Sequence, residues 1–144
     1  MIRRMQIKDL DEVTKMALLL WPNHTYESFR EEVSFFYRKK NMVYFVAENH
    51  KKLVGFAQCQ IRNDYVEGTD SNKVGYLEGI FIIPEFRKQN YGTSLVNACE
   101  KWAKDKSCSE FASDCELDNH DSFHFHLKCG FSEANRIICF TKKL

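Results

Sequence analysis

A buried strand-like run, a proline and a basic loop follow one another in the middle of the chain. The apolar run ends at Ile83, Pro84 interrupts it, and residues 87–92 lead into a helical pattern. Free backbone N–H groups and the positive end of the helix dipole both favour phosphate at such a loop. Asn90 tolerates a left-handed φ better than most residues, which suits a tight loop. The segment therefore predicts an anion-binding site for a phosphorylated ligand.

Carboxylates form a second charged zone directly before this loop. Acidic residues stand at positions 64, 67, 70 and 78, and the basic Arg87 and Lys88 follow. Glu78 lies in a nearly apolar strand, where an unpaired carboxylate is costly, and Asp114 ends a short strand, where α/β sheets present ligand residues. Such groups can bind an ammonium ion or accept its proton. The pattern predicts a cationic ligand beside an anionic one, with ordinary mixed surface charge as the alternative.

Composition excludes several classes of protein. The chain has 21 Lys and Arg against 20 Asp and Glu, a balance that argues against a dedicated nucleic-acid binder. Its apolar runs are far shorter than the roughly 20 residues of a membrane helix, and no apolar signal-peptide region follows the N-terminus. The six cysteines contain no Cys-x-x-Cys pair, so we interpret them as reduced thiols. We predict a cytoplasmic protein with one domain over residues 1–144 and neither nucleic acid nor membrane as partner.

Hydrophobic spacing predicts the elements that must position these residues, in the order α-α-β-β-β-α-β-α-β. Asp9 and Thr25 are predicted to cap the first two helices, and Asn119 or Asp121 the last, with Gly130 just after its end. The predicted strands are residues 42–47, 53–61, 73–83, 109–113 and a final strand or hairpin within 131–140. The third of them is expected to be central and covered on both faces. A strand-loop-helix-strand unit implies a parallel pair with a right-handed crossover.

The segment from Leu77 to Leu95 resembles the acetyl-CoA site of the GNAT (GCN5-related) N-acetyltransferases, whose loop reads Arg/Gln-x-x-Gly-x-Gly/Ala. Arg87 and Gly92 match at the right spacing, and Asn90 stands where the first Gly is usual. Residues 129–131, Cys-Gly-Phe, are similar to the Leu-Gly-Phe hallmark of the family. The resemblance implies an α/β (α+β) fold of one domain. Its mixed, mostly antiparallel twisted sheet would contain a splayed parallel pair and be flanked by about four helices.

The resemblance also implies acetyl-CoA as co-substrate, with no metal. The pantetheine amides would pair with unpaired strand backbone, and the loop would take the pyrophosphate. A strand N–H near Ile82 is the candidate to polarise the thioester carbonyl. The implied cofactor-binding residues are Ile80, Phe81, Ile82, Arg87, Lys88, Gln89, Asn90, Tyr91, Gly92, Thr93 and Asn119.

A narrower resemblance, to the aminoglycoside 6′-N-acetyltransferases, covers almost the entire chain. It rests on residues 20–22, 64–71, 77–81, 112–114 and 130–131. It implies direct acetyl transfer to the 6′-amino group of these antibiotics in a ternary complex, with antibiotic resistance as the outcome and a homodimer as the assembly. The implied substrate-binding residues are Trp21, Tyr65, Glu78, Asp114 and Asn135, the last at a position that is commonly acidic.

The resemblance assigns roles to the candidate catalytic residues. Glu78 or Asp114 would accept the proton of the reacting amine, and ring faces at Trp21 and Tyr65 would stack on sugar rings or ammonium groups. His126 stands where many GNAT enzymes place a Tyr that protonates the leaving thiolate.

Other interpretations of the same residues stay open. Trp21 could instead be a core residue that closes the first helix. The fold could serve another amine, such as a polyamine, a peptide or lysine, or act as a non-catalytic acetyl-CoA sensor. His120 and His124, four residues apart, could share a metal-ligand face, although no tight Cys pair completes a tetrahedral set. The β-rich residues 136–140 could pair or exchange across a dimer interface.

Overall fold

Five strands form one sheet in the order β1-β2-β3-β4-β5 in the computed structural model, which describes residues 1–144. The strands are β1 (Ile2–Arg4), β2 (Met42–Asn49), β3 (Lys52–Arg62), β4 (Val74–Ile82) and β5 (Glu110–Ser113). The pairs from β1 to β4 are antiparallel, whereas β4 and β5 are parallel. The predicted mixed, mostly antiparallel sheet with one parallel pair is confirmed.

Four helices cover the sheet: α1 (Leu10–Leu20), α2 (Tyr26–Tyr37), α3 (Tyr91–Asp105) and α4 (His120–Lys128). The predicted caps at Thr25 and Asn119 are confirmed, since their side chains accept hydrogen bonds from the backbone amides of Ser28 and Ser122. Gly130 follows α4 with φ +92, as expected after a helix end. None of the helices is long and apolar enough to cross a membrane.

The apolar faces of the helices form two cores on opposite sides of the sheet. Val13 of α1 and Val33 of α2 pack with Phe56 of β3 in one core. Leu95 and Trp102 of α3 pack in the other core, on the reverse face. All five side chains are buried, so the sheet is held between two apolar layers.

The sequence missed β1, a three-residue strand with two arginines that pairs with β2 through backbone hydrogen bonds. The predicted final strand or hairpin within residues 131–140 is wrong, because this segment has no regular secondary structure. A strand needs a neighbour to satisfy its backbone groups, and this segment pairs with no strand of its own chain. Its Ile138 and Phe140 side chains are 82% and 89% exposed.

The expectation that the third predicted strand is covered on both faces is also corrected. Only the first half of β4 is buried, and residues 78–82 are half-buried. The parallel register with β5 ends at the Leu77–Ser113 pair, so the second half of β4 has no strand beside it on that edge.

A partly buried ion-pair network anchors the start of the chain to the sheet. Asp9, predicted to cap α1, instead accepts the Gln6 amide at 2.7 Å and the Arg3 Nη1 at 2.6 Å. Arg3 also donates through Nε to Glu48 of β2 at 2.9 Å. The hydrogen bonds from Arg3 hold the pKa of Asp9 below its usual range.

We expect Asp9→Asn to lower the free energy of unfolding by about 1–3 kcal/mol at neutral pH, since it weakens charge-assisted hydrogen bonds. Because the folded-state pKa is depressed, this stabilisation is complete above the ordinary carboxyl pKa and is lost as the pH falls through the lower value. The difference in unfolding free energy between wild type and variant should therefore disappear below about pH 4. Urea unfolding at several pH values measures it, and a gap that widens on acidification would contradict the assignment.

Candidate active site

The open edge of β4 lies where β4 and β5 separate. On the β3 side, the Ile83 amide donates to the Val54 carbonyl at 2.9 Å. Backbone groups of alternate residues point to opposite neighbours, so those of Ile80 and Ile82 face the edge that β5 leaves free. The Ile82 carbonyl accordingly accepts Arg87 Nε at 2.9 Å. This edge can pair with the amides of an extended ligand, as an added strand would.

Of the three strand residues predicted to bind the cofactor, Phe81 is placed differently from Ile80 and Ile82. Phe81 pairs in register with Phe56 of β3, so its backbone faces the antiparallel neighbour rather than the open edge. Its ring packs against the core under α1 and α2, and the guanidinium carbon of Arg87 lies 5.7 Å from its centroid.

The loop at residues 87–92 adopts the conformation expected of an anion cradle. Lys88 and Asn90 have φ values of 60° and 65°, so Asn90 takes the predicted left-handed conformation. The first intrahelical bond of α3 runs from the Ser94 amide to the Asn90 carbonyl. The amides of residues 91–93 therefore have no acceptor within the helix and remain available to an anion.

Gly92 is required at this helix start by packing. A Cβ there would lie 2.8 Å from the Phe125 ring of α4, which is too close for the ring to stay in place. Arg87, Lys88 and Gln89 are exposed around the same loop. Arg87 uses Nε on the Ile82 carbonyl, which leaves its terminal nitrogens free for an anion.

Asn90 gives a test of the loop geometry. We expect Asn90→Gly to keep acetyl-CoA affinity near that of wild type, because Gly adopts a positive φ without strain. Asn90→Val should weaken it by roughly 5- to 30-fold, the equivalent of about 1–2 kcal/mol of left-handed strain. Calorimetric titration of both variants measures this. Equal affinities for Gly and Val would show that the positive φ does not matter for binding.

The two candidate carboxylates, Glu78 and Asp114, lie in one polar network. Arg62 at the end of β3 donates to Glu78 through Nε and Nη2, each at 2.9 Å, and Gln60 Nε2 donates to it as well. The Arg62 guanidinium carbon lies 3.5 Å from the centroid of the Tyr76 ring. Tyr76 in turn donates its hydroxyl to Asp114. Burial and this carboxylate raise the pKa of Tyr76.

Sequence reasoning missed the internal partners of these carboxylates. Arg62, Gln60 and Tyr76 were not singled out, although the β3–β4 hairpin pairs Gln60 with Tyr76. A register drawn through the two strands would have put these side chains on the face that carries Glu78.

Trp21 lies beside this network and also belongs to the core. A Cβ on Gly79 would collide with the Trp21 ring, so the indole lies directly on β4 next to Glu78. Its centroid is 5.9 Å from that of Phe29, in an edge-on contact. The half-buried ring therefore fits both interpretations, a core contact on one side and a ligand wall on the other.

Tyr65 and Asn135 are joined through a third residue, Glu67. The Tyr65 hydroxyl and Asn135 Nδ2, the latter at 2.8 Å, both donate to the Glu67 carboxylate. These hydrogen bonds lower the pKa of Glu67. Tyr65 is 80% exposed and lines an open cleft of about 500 Å³ together with Arg62. Tyr65, Asn135 and Asp114 are thus exposed, whereas Glu78 is half-buried.

His126 reaches the opening between β4 and β5 through Ser113. His126 Nδ1 lies 2.7 Å from the Ser122 carbonyl, to which it must donate, and Nε2 lies 2.8 Å from Ser113 Oγ. The proton on Nδ1 therefore leaves Nε2 as an acceptor for the Ser113 hydroxyl in the neutral ring. Asn119 uses Oδ1 to cap α4 and keeps its amide nitrogen for another partner. No three His, Cys, Asp or Glu side chains lie together so as to hold a metal ion.

An open strand edge next to a basic helix start, with α3 and α4 behind it, is the arrangement of an acyl-CoA-dependent transferase. The sequence pattern of the acetyltransferase (GNAT) family matches residues 10–131, and the chain belongs to this family. It is 34% identical over 142 residues to the aminoglycoside N(6′)-acetyltransferase type 1 of Salmonella typhimurium, an alignment that covers 99% of this chain and 98% of the relative.

Solved structures agree with this assignment. The chain superposes on the aminoglycoside N-acetyltransferase AAC(6′)-Iy in complex with CoA with a TM-score of 0.96, at 33% identity, over 100% of this chain and 95% of that one. AAC(6′)-Iy in complex with the bisubstrate analogue CoA-S-monomethyl-acetylneamine gives a TM-score of 0.95 at 33% identity, over 100% and 98% of the two chains. The predicted family and fold are confirmed.

Proposed function

We propose that this protein is an aminoglycoside 6′-N-acetyltransferase that moves the acetyl group of acetyl-CoA to the 6′-amine of its substrate. The observation that carries the proposal is the open edge of β4, with a basic loop at one end and the Glu78–Asp114 network beside it. A polycation and a polyanion could thus meet at one strand. Full-length similarity to enzymes of this name adds support.

The residues present fit acetyl-CoA. The free backbone groups of Ile80 and Ile82 would pair with its amides, and the amides of residues 91–93 with Arg87 would hold its pyrophosphate. Bound there, it supplies an activated acetyl thioester. An N–H on the open edge near Ile82 is our candidate to polarise the carbonyl.

Asp114 is the better of the two candidate proton acceptors. Glu78 already accepts hydrogen bonds from Arg62 and Gln60, whereas Asp114 is exposed and accepts one from Tyr76. A carboxylate with free acceptor capacity can take the proton of a 6′-ammonium group directly or through water. The neutral amine would then attack in a ternary complex, without a covalent enzyme intermediate.

His126 and Ser113 form the route by which a proton could return to the leaving thiolate. Protonation of His126 Nε2 would reverse its hydrogen bond with Ser113, and the Ser113 hydroxyl would then donate either to the Leu77 carbonyl, 3.2 Å away, or toward the opening. The CoA thiol is acidic enough to leave unaided, so we assign this pair a supporting role.

We propose further that the protein acts as a homodimer in the cytoplasm. Exposed Ile137, Ile138 and Phe140 lie in a segment without a strand partner, and β5 is one of the two edge strands of the sheet. Pairing of residues 136–140 with β5 of a second copy would cover the exposed apolar side chains and the free edge of β5. Light scattering should give a dimer for the full chain and a monomer for the double variant Ile138→Lys with Phe140→Lys.

The six unpaired cysteines support the proposed cytoplasmic location, because thiols stay reduced there.

Release of free thiol from acetyl-CoA tests the proposed reaction. We expect turnover on addition of kanamycin or tobramycin, and none with spermidine or lysine peptides at the same concentration. Turnover with spermidine or peptides alone would move the protein to another substrate class within the family. Acetyl-CoA binding without turnover of any amine would favour a sensor.

A further inference from the structure

The Glu78 carboxylate is occupied by an internal cation before any substrate arrives. Arg62 Nε and Nη2 each lie 2.9 Å from a Glu78 oxygen, in the two-pronged geometry that suits a guanidinium and a carboxylate. Gln60 donates to the same carboxylate. Two oxygens offer about four acceptor positions, so little capacity remains for an ammonium group, which brings several donors of its own.

The contacts of Arg62 are those that an ammonium-bearing substrate would itself use. One edge of its guanidinium group contacts the Glu78 carboxylate, and the guanidinium carbon lies over the face of the Tyr76 ring, 3.5 Å from the centroid. Carboxylates and aromatic faces are the general recognition elements for organic cations. Tyr76 donates its hydroxyl to Asp114, so a chain of contacts runs from Glu78 through Arg62 and Tyr76 to Asp114.

Arg62 is also placed so that it can leave. It is the last residue of β3, next to the exposed residues 63–65, and its side chain is 34% exposed, whereas that of Glu78 beneath it is 19% exposed. Rotation of the Arg62 side chain toward the 500 Å³ cleft that it lines would uncover Glu78 without moving the sheet. A partly exposed ion pair is weak enough to be exchanged for another.

We propose that Arg62 is a built-in competitor for the substrate cation and sets its apparent affinity and selectivity. A substrate ammonium group can pair with Glu78 only when Arg62 gives up that position. Ligands with several positive charges can offset this cost with contacts elsewhere, at Asp114 and Glu67, which a single amine lacks. The inference deepens the proposed function and rests on it, since it takes an aminoglycoside as the cation.

Arg62→Gln tests the proposal, with the exposed Arg38→Gln as a control that removes the same charge elsewhere. We expect the KM and the calorimetric Kd for kanamycin to fall about fivefold in Arg62→Gln, the value of a partly exposed ion pair. The acetyl-CoA Kd serves as the control for folding and should stay close to wild type, while loss of the ion pair should lower the melting temperature by only about 2–4 °C. Arg62→Lys keeps the charge without the two-pronged contact, so its kanamycin Kd should lie between those of wild type and Arg62→Gln.

A role for Arg62 in orienting Glu78 predicts the opposite. In that case Arg62→Gln would raise KM or lower kcat, and Arg62→Lys would restore part of the loss. The Glu78→Gln change separates the two cases again: it should cost more kanamycin affinity in the Arg62→Gln background than in wild type if Arg62 competes, and less if Arg62 supports Glu78. An unchanged Kd in Arg62→Gln would also overturn the proposal.

Binding and turnover are measured separately so that the two proposals can fail separately. If kanamycin binds but is not acetylated, the proposed function fails and the Kd values still decide the role of Arg62. If kanamycin binds to neither wild type nor Arg62→Gln, both proposals are wrong.

Discussion

Asp114→Asn is expected to lower kcat/KM for kanamycin by roughly 100-fold or more, the range in which a positioned general base contributes. The substitution keeps the size of the side chain and a hydrogen-bond acceptor for the Tyr76 hydroxyl. It removes the negative charge that would pair with an ammonium group and the oxygen that would take its proton. Steady-state kinetics at saturating acetyl-CoA measure the change.

Acetyl-CoA affinity should stay nearly intact in this variant, because Asp114 lies apart from the loop that would hold the pyrophosphate. Asp118→Asn, an exposed carboxylate a few residues further along, is the matched control and should behave as wild type. An equal loss of acetyl-CoA binding and of kanamycin turnover would mean that the chain does not keep separate cationic and anionic sites.

Arg87→Glu is expected to raise the acetyl-CoA Kd by roughly 100-fold, since it replaces charge-assisted hydrogen bonds with like-charge repulsion. Arg87 is held by its Nε on the Ile82 carbonyl, so its terminal nitrogens are positioned at the loop before a ligand binds. A glutamate there would place its carboxylate beside the amides that start α3. Calorimetric titration in low salt gives the affinity of variant and wild type.

Lys40→Glu, in the exposed turn before β2, changes the net charge by the same amount at a distance from the loop. It should leave the acetyl-CoA Kd close to wild type. Similar weakening in both variants would mean that overall charge, rather than the loop, governs the affinity. Wild-type affinity that does not fall with added salt would contradict an electrostatic contribution from the loop.

The parts of the fold that depend on local pattern could be predicted from the sequence. The caps at Thr25 and Asn119, the hairpin of β2 with β3, and the left-handed Asn90 each follow from a few neighbouring residues. The parallel β4–β5 pair followed from the order of elements. The short β1 could not be predicted, because backbone pairing with β2 creates it and its side chains show no strand pattern.

The candidate site was predicted less completely, because its chemistry depends on side chains that are distant in the sequence. Glu78 and Asp114 stood out as polar residues at strand positions, but their partners Arg62 and Tyr76 emerge only from the register of three strands. The residue types within 131–140 predict a final strand or hairpin. A strand also needs a neighbour, and within one chain this segment has none.

The position of the transferred acetyl group tests the proposed function most directly. Wild-type protein would be incubated with acetyl-CoA and with a matched pair of aminoglycosides that differ only in an amino or a hydroxyl group at the 6′ carbon. We predict one acetyl group on the 6′ nitrogen of the first, located by NMR, and no product from the second. Acetylation at another nitrogen, or equal turnover of both compounds, would contradict the proposal.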